Sequence, residues 1–178
     1  LDLVKLDLKQ PGLDIGISGA GIPLSMAAGP IALRDPAGLL ALEGQIPGTL
    51  ASPIPALALK TEGAGFTLPQ AGLRYSPVDI DIGFSAEGLD IRRFEVQAKP
   101  FWSTKPREGS LSLRGKVGLE DGDLTEVELS AEMSEFWLAS IKLATLAVSG
   151  KIDIDGTYPD LNIRGELAAD EARFEVSE

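Results

Sequence analysis

Apolar and polar residues alternate along most of this chain, and the alternation returns at short intervals from one end to the other. In residues 78–84 the apolar positions are separated by Asp79 and Asp81, and residues 127–133 and 146–154 repeat the same period of two. Residues with this period project to opposite faces of a β-strand, whereas a helix would scatter them around its circumference. The pattern therefore predicts an all-β protein whose strands each have one aliphatic face and one polar face.

Turn-forming residue pairs fall between these alternating segments. They are Asp35-Pro36, Asp121-Gly122, Asp155-Gly156 and Pro159-Asp160. A strand and its turn then take roughly a dozen residues, which predicts on the order of 14 strands. Pro and Gly are dense between residues 19 and 60, where we expect short strands and an irregular loop near 47–56. Residues 125–148 contain neither Pro nor Gly, and the alternation within them favours strand over helix.

The composition removes most kinds of chemistry from consideration. The chain has no His and no Cys, so Ser-His-Asp and Cys-His catalysis, His-based metal sites and disulfides are excluded. Acidic pairs such as Asp79/Asp81 and Asp153/Asp155 could form a calcium site or an acid/base pair. We favour a solvated outer face, because each pair lies opposite an apolar row. We therefore expect no enzymatic activity, no metal and no cofactor.

The net charge of −11 makes nucleic acid a poor partner, because phosphate groups repel an acidic surface. The hydrophobic content is 44%, but only 6% of the residues are aromatic, so the apolar face is almost entirely aliphatic. Such a lining resembles a surface for acyl chains more than a tightly packed core. The residues predicted to line it are Val78, Ile80, Ile82, Phe84, Phe94, Val96, Leu111, Leu113, Val127, Leu129, Leu146, Val148, Ile152, Ile154, Leu161, Ile163 and Phe174.

Aromatic and basic residues are grouped at three places in the chain. The groups are Phe101-Trp102 with Lys99, Lys105 and Arg107, then Phe136-Trp137, and then Arg92-Arg93. The first two could bind a lipid headgroup or a sugar, and the third could bind phosphate. We favour burial of the aromatic pairs against the core and a place in a strand or turn for the arginine pair.

Three segments near the end of the chain follow a common sequence pattern, in which alternating apolar and polar residues occur with a Gly and a short following strand. They are LAVSGKIDIDGT at 146–157, PDLNIRGEL at 159–167 and ARFEV at 172–176, with a weaker echo in LSLRGKV at 111–117. Over residues 143–176 the chain resembles the TamB family, within the AsmA-like group of bacterial envelope proteins. The rest of the chain resembles that family only in its alternation, Gly-rich turns and few aromatics.

The resemblance implies a β-taco, which is a curved antiparallel or mixed sheet folded into a U-shaped trough with a hydrophobic groove. Residues 1–178 would form a single segment of a longer protein that is anchored in the inner membrane and spans the periplasm of a Gram-negative-type envelope. It would conduct phospholipids between the inner and outer membranes, with their acyl chains as partners.

Two other functions stay open at this point. In one, the segment is an assembly module whose sheet edges pair with neighbouring segments of the same chain, with outer-membrane proteins or with an Omp85-type barrel. We expect the strands near residues 1–8 and 173–176 to provide such edges. In the other, the sheet closes into a plain β-sandwich with a filled core.

Overall fold

The computed structural model describes residues 13–27, 33–49, 52–53, 55–101 and 108–175. Within them the chain forms ten strands and one helical turn, which confirms the all-β prediction. The elements are β1 (Leu13–Pro23), α1 (Leu24–Ala27), β2 (Arg34–Thr49), β3 (Ser52–Pro53), β4 (Ala56–Leu68), β5 (Leu73–Ser85), β6 (Gly88–Pro100), β7 (Gly109–Glu120), β8 (Asp123–Ile141), β9 (Ala144–Thr157) and β10 (Asp160–Phe174).

The strands form a single sheet in which neighbours in sequence are neighbours in space. Its order is β1-β2-β4-β5-β6-β7-β8-β9-β10, and the short β3 pairs with the end of β2. Every pairing is antiparallel, so of the two predicted arrangements the described strands adopt the antiparallel one. Among the described strands, β1 and β10 each pair on one side only, so the described sheet is not closed into a barrel.

The prediction of about 14 short strands is wrong for the described residues, because several Gly and Pro residues lie inside strands. β2 is 16 residues long and β8 is 19, and β2 lies within the region expected to hold short strands. Asp35, with a φ of 52°, lies inside β2 where its register with β4 shifts. Gly156 also lies within a strand, and β9 reverses after it, at Tyr158 and Pro159. A bulge such as the one at Asp35 bends a strand without ending it.

The turn between β7 and β8 was predicted correctly. Asp121 and Gly122 both have positive φ values, 53° and 90°, which is the backbone of a two-residue hairpin turn.

The irregular loop predicted over 47–56 is a tight reversal in its described part. Gly48 pairs with Pro53, and Thr49 pairs with Ser52. The expected strand at residues 1–8 and the end of the last strand at residue 176 lie outside the described residues.

The sheet curls until strands that are not neighbours touch. The turn between β4 and β5 reaches β8 across β6 and β7, and the backbone N–H of Ser140 donates to the carbonyl of Ala71 over 2.7 Å. A buried cluster lies beneath this contact. It contains Ala64, Leu73, Val78, Val96, Ala98, Phe136, Trp137 and Ala147. The fold is therefore an open, curved antiparallel sheet, as predicted, with one end closed over a small core.

Candidate functional site

The strand register places every predicted lining residue on the same face of the sheet. Directly paired residues in an antiparallel sheet project from the same face. One row runs Ile80, Phe94, Leu113, Ala131, Ile152 across β5 to β9, and the remaining rows connect in the same way. We call this surface the apolar face. That it lines a lipid groove remains a prediction.

The apolar face extends further than the predicted residues. Leu42 of β2 pairs with Leu59 of β4, which pairs with Ile82, and Ile15 of β1 pairs with Ile46 of β2. Short alternations such as 57–59 and 40–42 are visible in the sequence, but Pro and Gly around them hide the strands to which they belong. The apolar face therefore runs from one edge of the sheet to the other.

The side chains of the apolar face become more exposed to solvent from the closed end towards β10. Val78, Val96, Val127 and Val148 are buried. On β10 the side chain of Ile163 is 70% exposed and Phe174 is 68% exposed. The most exposed part of the apolar face is therefore on the last strand, and Phe84 of β5 is exposed to a smaller degree, 38%.

Phe136 and Trp137 close one end of the sheet. Phe136 pairs with Val148 and Trp137 pairs with Ala147, and all four residues are buried although they alternate in direction along their strands. Register shifts on both sides of this pair interrupt the regular alternation of β8. Burial of the two aromatic residues is as predicted. By this register Phe136 and Val148 lie on the apolar face, whereas Trp137 and Ala147 lie on the opposite face.

Of the basic residues singled out in the sequence, the three that the structure describes, Arg92, Arg93 and Lys99, are ion-paired. Arg92 and Arg93 occupy a bulge in β6, where Arg92 contacts Asp81 and Arg93 lies 3.8 Å from Glu95. Lys99 contacts Glu108 over 2.6 Å. Phe101 follows the end of β6 and is 47% exposed, so its predicted burial is wrong, and the other members of its group, Trp102, Lys105 and Arg107, lie outside the described residues.

The polar face of the sheet carries ladders of charged residues that link neighbouring strands. Arg114 of β7 donates to Glu95 of β6 over 3.0 Å, and Arg164 of β10 pairs with Asp155 of β9. Among the described residues, no three acidic side chains are grouped so that they could hold a metal ion. The acidic pairs contribute to cross-strand contacts on the outer face.

One carboxylate of this face has a shifted pKa. A hydrogen bond from Ser130 lowers the pKa of Asp153, and the nearby charges of Lys151 and Arg164 act in the same direction. A lowered pKa in the folded state adds stability above the ordinary Asp pKa, and that stability is lost as the pH falls through the folded value.

Replacing Ser130 with alanine should therefore raise the pKa of Asp153. NMR titration of the Asp153 carboxyl carbon, in the original chain and in Ser130→Ala, measures the shift directly. The substitution should lower the urea midpoint slightly at pH 7 and much less near pH 2, where the carboxyl is protonated in both states. An unchanged pKa would show that Ser130 does not donate to Asp153 in solution.

A cavity of about 670 Å³ lies at the end of the sheet opposite Trp137. β2, β4, β5, β6 and β7 contribute to it, and its charged residues are Glu43, Glu87, Asp90 and Lys116. Phe84 is the one predicted lining residue that borders it. Nothing in the sequence pattern predicted this cavity, because its lining comes from five strands that are far apart in the chain.

Comparison with known proteins bears on the second half of the chain. Residues 102–178 match the family model of the TamB C-terminal domain. This part of the chain is a TamB-family segment. The match begins before residue 143, where the sequence resemblance begins, and it includes β7, β8, β9 and β10.

No curated protein and no solved structure matches the chain. β6 pairs with β7 along most of its length, so the strands before the TamB segment continue the same sheet. None of the helices in the described residues is long and apolar enough to cross a membrane.

Proposed function

We propose that this chain is a hydrophobic-groove module of a TamB-type protein that spans the periplasm and conducts phospholipids between the inner and outer membranes. TamB-family proteins are typically associated with the Gram-negative envelope, which supports this location. The observation that carries the proposal is the unbroken apolar face, which crosses the whole open sheet and is left uncovered on β10.

The aliphatic lining suits lipid tails. Each buried CH₂ group contributes about 0.8 kcal/mol, so a chain of ~16 carbons gains on the order of 10 kcal/mol before the cost of ordering it. Branched aliphatic side chains offer no directional contacts, so a tail can slide along them. The headgroup stays in water at the open side and needs no dedicated polar site.

The dimensions suit a module of a longer conduit. Nine strands follow one another along the sheet. At a spacing of about 4.8 Å they extend roughly 40 Å, less than the ~65 Å expected from 14 strands. Because Phe136 and Trp137 fill the closed end, we expect a tail to lie against β7 to β10, where Leu113, Ile152 and Ile163 are accessible.

Photocrosslinking tests the proposal with matched positions on one strand. A photoreactive residue at Ile152 or Ile154 should form phospholipid adducts in cells several times more often than one at Asp153 or Asp155. Ile152 and Ile154 lie on the apolar face, whereas their neighbours lie on the polar face. Equal adduct yields at the four positions would rule out the conduit.

The second candidate function is an assembly module, and the exposed edge of β10 favours it. Ile152→Asp separates the two functions, because Ile152 lies on the apolar face of β9 and takes no part in the free edge. With the fold retained, this variant should block lipid transfer and leave strand pairing at the edge intact. Asp153→Asn on the same strand serves as the control.

A further inference from the structure

Two strands on either side of β9 each contain an extra residue at the same level of the sheet. From Met133 to Phe136, β8 advances by three residues while β9 advances by two. β10 likewise gains one residue, Asp170, against β9. Each is a β-bulge, in which two residues of one strand lie opposite one residue of its neighbour. Both bulges lie beside the same short segment of β9, residues 147–149.

The bulge in β8 decides which of its residues reach the apolar face. Successive strand residues project to opposite faces, so one extra residue reverses the facing of every residue after it. Continued alternation from Met133 would place Glu135 on the apolar face and Phe136 on the polar face. The bulge instead sets Phe136 opposite Val148, on the apolar face.

The bulge in β10 has the same effect on the end of that strand. Continued alternation from Ala169 would place Glu171 and Arg173 on the apolar face. The register instead places Phe174 there and sends the two charged residues to the polar face. Both bulges therefore keep an aromatic residue on the apolar face at the cost of one unpaired position.

Ser149 of β9 is hydrogen-bonded to both bulges. Its hydroxyl accepts from the backbone N–H of Glu135 over 2.8 Å and donates to a carboxylate oxygen of Asp170 over 2.6 Å. A serine hydroxyl has a single hydrogen to donate, so the bond to Asp170 directs its lone pairs towards Glu135. Removal of the carboxylate would leave the hydroxyl to rotate away from the N–H.

Glu135 has a backbone conformation that needs such support. Its φ of 44° lies in the left-handed region, which is unfavourable for a residue with a side chain. Gly109 of β7 accommodates it from the other side, because a Cβ at that position would overlap the Glu135 carbonyl. Conformations of this kind persist only where the surrounding groups hold them. Ser149 supplies one of these groups.

We propose that Ser149 couples the two bulges, so that the facing of Phe136 in β8 depends on the Asp170 carboxylate in β10. The two strands are not neighbours, and β9 lies between them. The closed end of the sheet therefore responds to changes in β10. This coupling is a property of the sheet alone: it does not require lipid, and it holds whether or not a further strand pairs with β10.

Hydrogen exchange of the Glu135 amide tests the coupling. Asp170→Ala removes a side chain from β10 only, yet this amide of β8 should exchange at least about fivefold faster, because the hydroxyl no longer holds it. Ser149→Ala should have at least the same effect, and adding Asp170→Ala to it should change little more, since both act through one hydroxyl. Glu166→Ala, in the regularly paired part of β10, is the matched control and should leave the rate unchanged.

The other outcomes of this experiment contradict the proposal. An unchanged rate at Glu135 in Asp170→Ala would mean that the two bulges are independent. An equal rise at every amide of β8 would report a loss of overall stability rather than a coupled bulge. Additive effects of Ser149→Ala and Asp170→Ala would mean that the two residues act separately.

Fluorescence of Trp137 tests whether the bulge sets the facing of β8. The chain has two Trp residues, so Trp102→Phe leaves Trp137 as the only one. In that background, Ser149→Ala should at least about double the acrylamide quenching constant of the folded protein, because Trp137, now 6% exposed, loses its cover when the register slips. Ser149→Thr keeps the hydroxyl and should quench like the original chain.

Ser130→Ala is the control for the loss of a hydroxyl. Ser130 also donates to a carboxylate, that of Asp153, but it lies where β8 and β9 pair regularly, so its removal should leave the quenching of Trp137 unchanged. If Ser149→Ala lowers the urea midpoint and leaves the quenching constant as it was, Ser149 is a stabilising contact and the proposal is wrong. Neither experiment contains lipid, so their outcome is separate from that of the conduit.

Discussion

Replacing Gly72 with alanine should lower the free energy of unfolding by about 3 kcal/mol or more, one of the largest effects of any single methyl group in this protein. Gly72 lies in the turn between β4 and β5 with a φ of 71°, a conformation that costs other residues roughly 1–2 kcal/mol. An added Cβ would also overlap the backbone carbonyl of Ser140 in β8. Backbone atoms cannot move aside cheaply, so the turn would have to leave β8. Urea unfolding followed by circular dichroism measures the loss.

Gly63 provides the matched control for this substitution. Its φ of 58° is similar, but a Cβ added there meets nothing within 4 Å. Gly63→Ala should therefore lower the free energy of unfolding only by the cost of the positive φ, about 1–2 kcal/mol. Equal losses at Gly63 and Gly72 would mean that the turn does not press against β8 in solution, and the closed end of the sheet would then be open.

Replacing Trp137 with alanine should destabilise the protein by about 3–5 kcal/mol, the usual cost of removing a buried Trp side chain. Trp137 is 6% exposed and packs in the cluster with Leu73 and Val96, at the place where the curled sheet meets itself. Phe136 already packs in the same cluster, so it cannot fill the space without leaving its own site. Thermal and urea unfolding would both report the loss.

Leu138 is the control for Trp137, since it is the next residue of the same strand and is 46% exposed. Leu138→Ala should cost well under about 1 kcal/mol. If the two substitutions cost the same, the closed end is not a packed core. The aliphatic lining would then continue past β8, and a lipid tail would have a longer surface available than we propose.

Much of the candidate site was predictable, because the facing of a strand residue is a local property. Ile152 and Ile154 are separated by one residue, so they share a face in any strand, whatever that strand packs against. The same reasoning identified apolar-face residues on each strand from β5 to β10, although it left out others such as Ile91, Val117 and Met133. It missed the contributions of β1, β2 and β4, where Pro and Gly interrupt the alternation.

Turns were less predictable than faces. The reversal at Lys142 and Leu143, between β8 and β9, contains none of the residues that usually mark a turn. By contrast, Asp35 and Gly156 have the chemistry of turn residues and lie within strands. Positive φ values occur in the turn at Asp121, in the bulge at Asp35 and in regularly paired strand at Gly156, and only the pairing with the neighbouring strand decides between these outcomes.

The sequence by itself therefore determined the all-β class, the composition of each strand's apolar face and the lack of His- and Cys-based chemistry. The tertiary structure alone decided how long the strands are, that β8 curls back to the turn before β5, that Trp137 closes one end, and that β10 is left exposed. The reason is the separation along the chain of the residues that set each feature. Alternation is set by adjacent residues, whereas curvature accumulates from bulges and pairings between residues far apart in the chain.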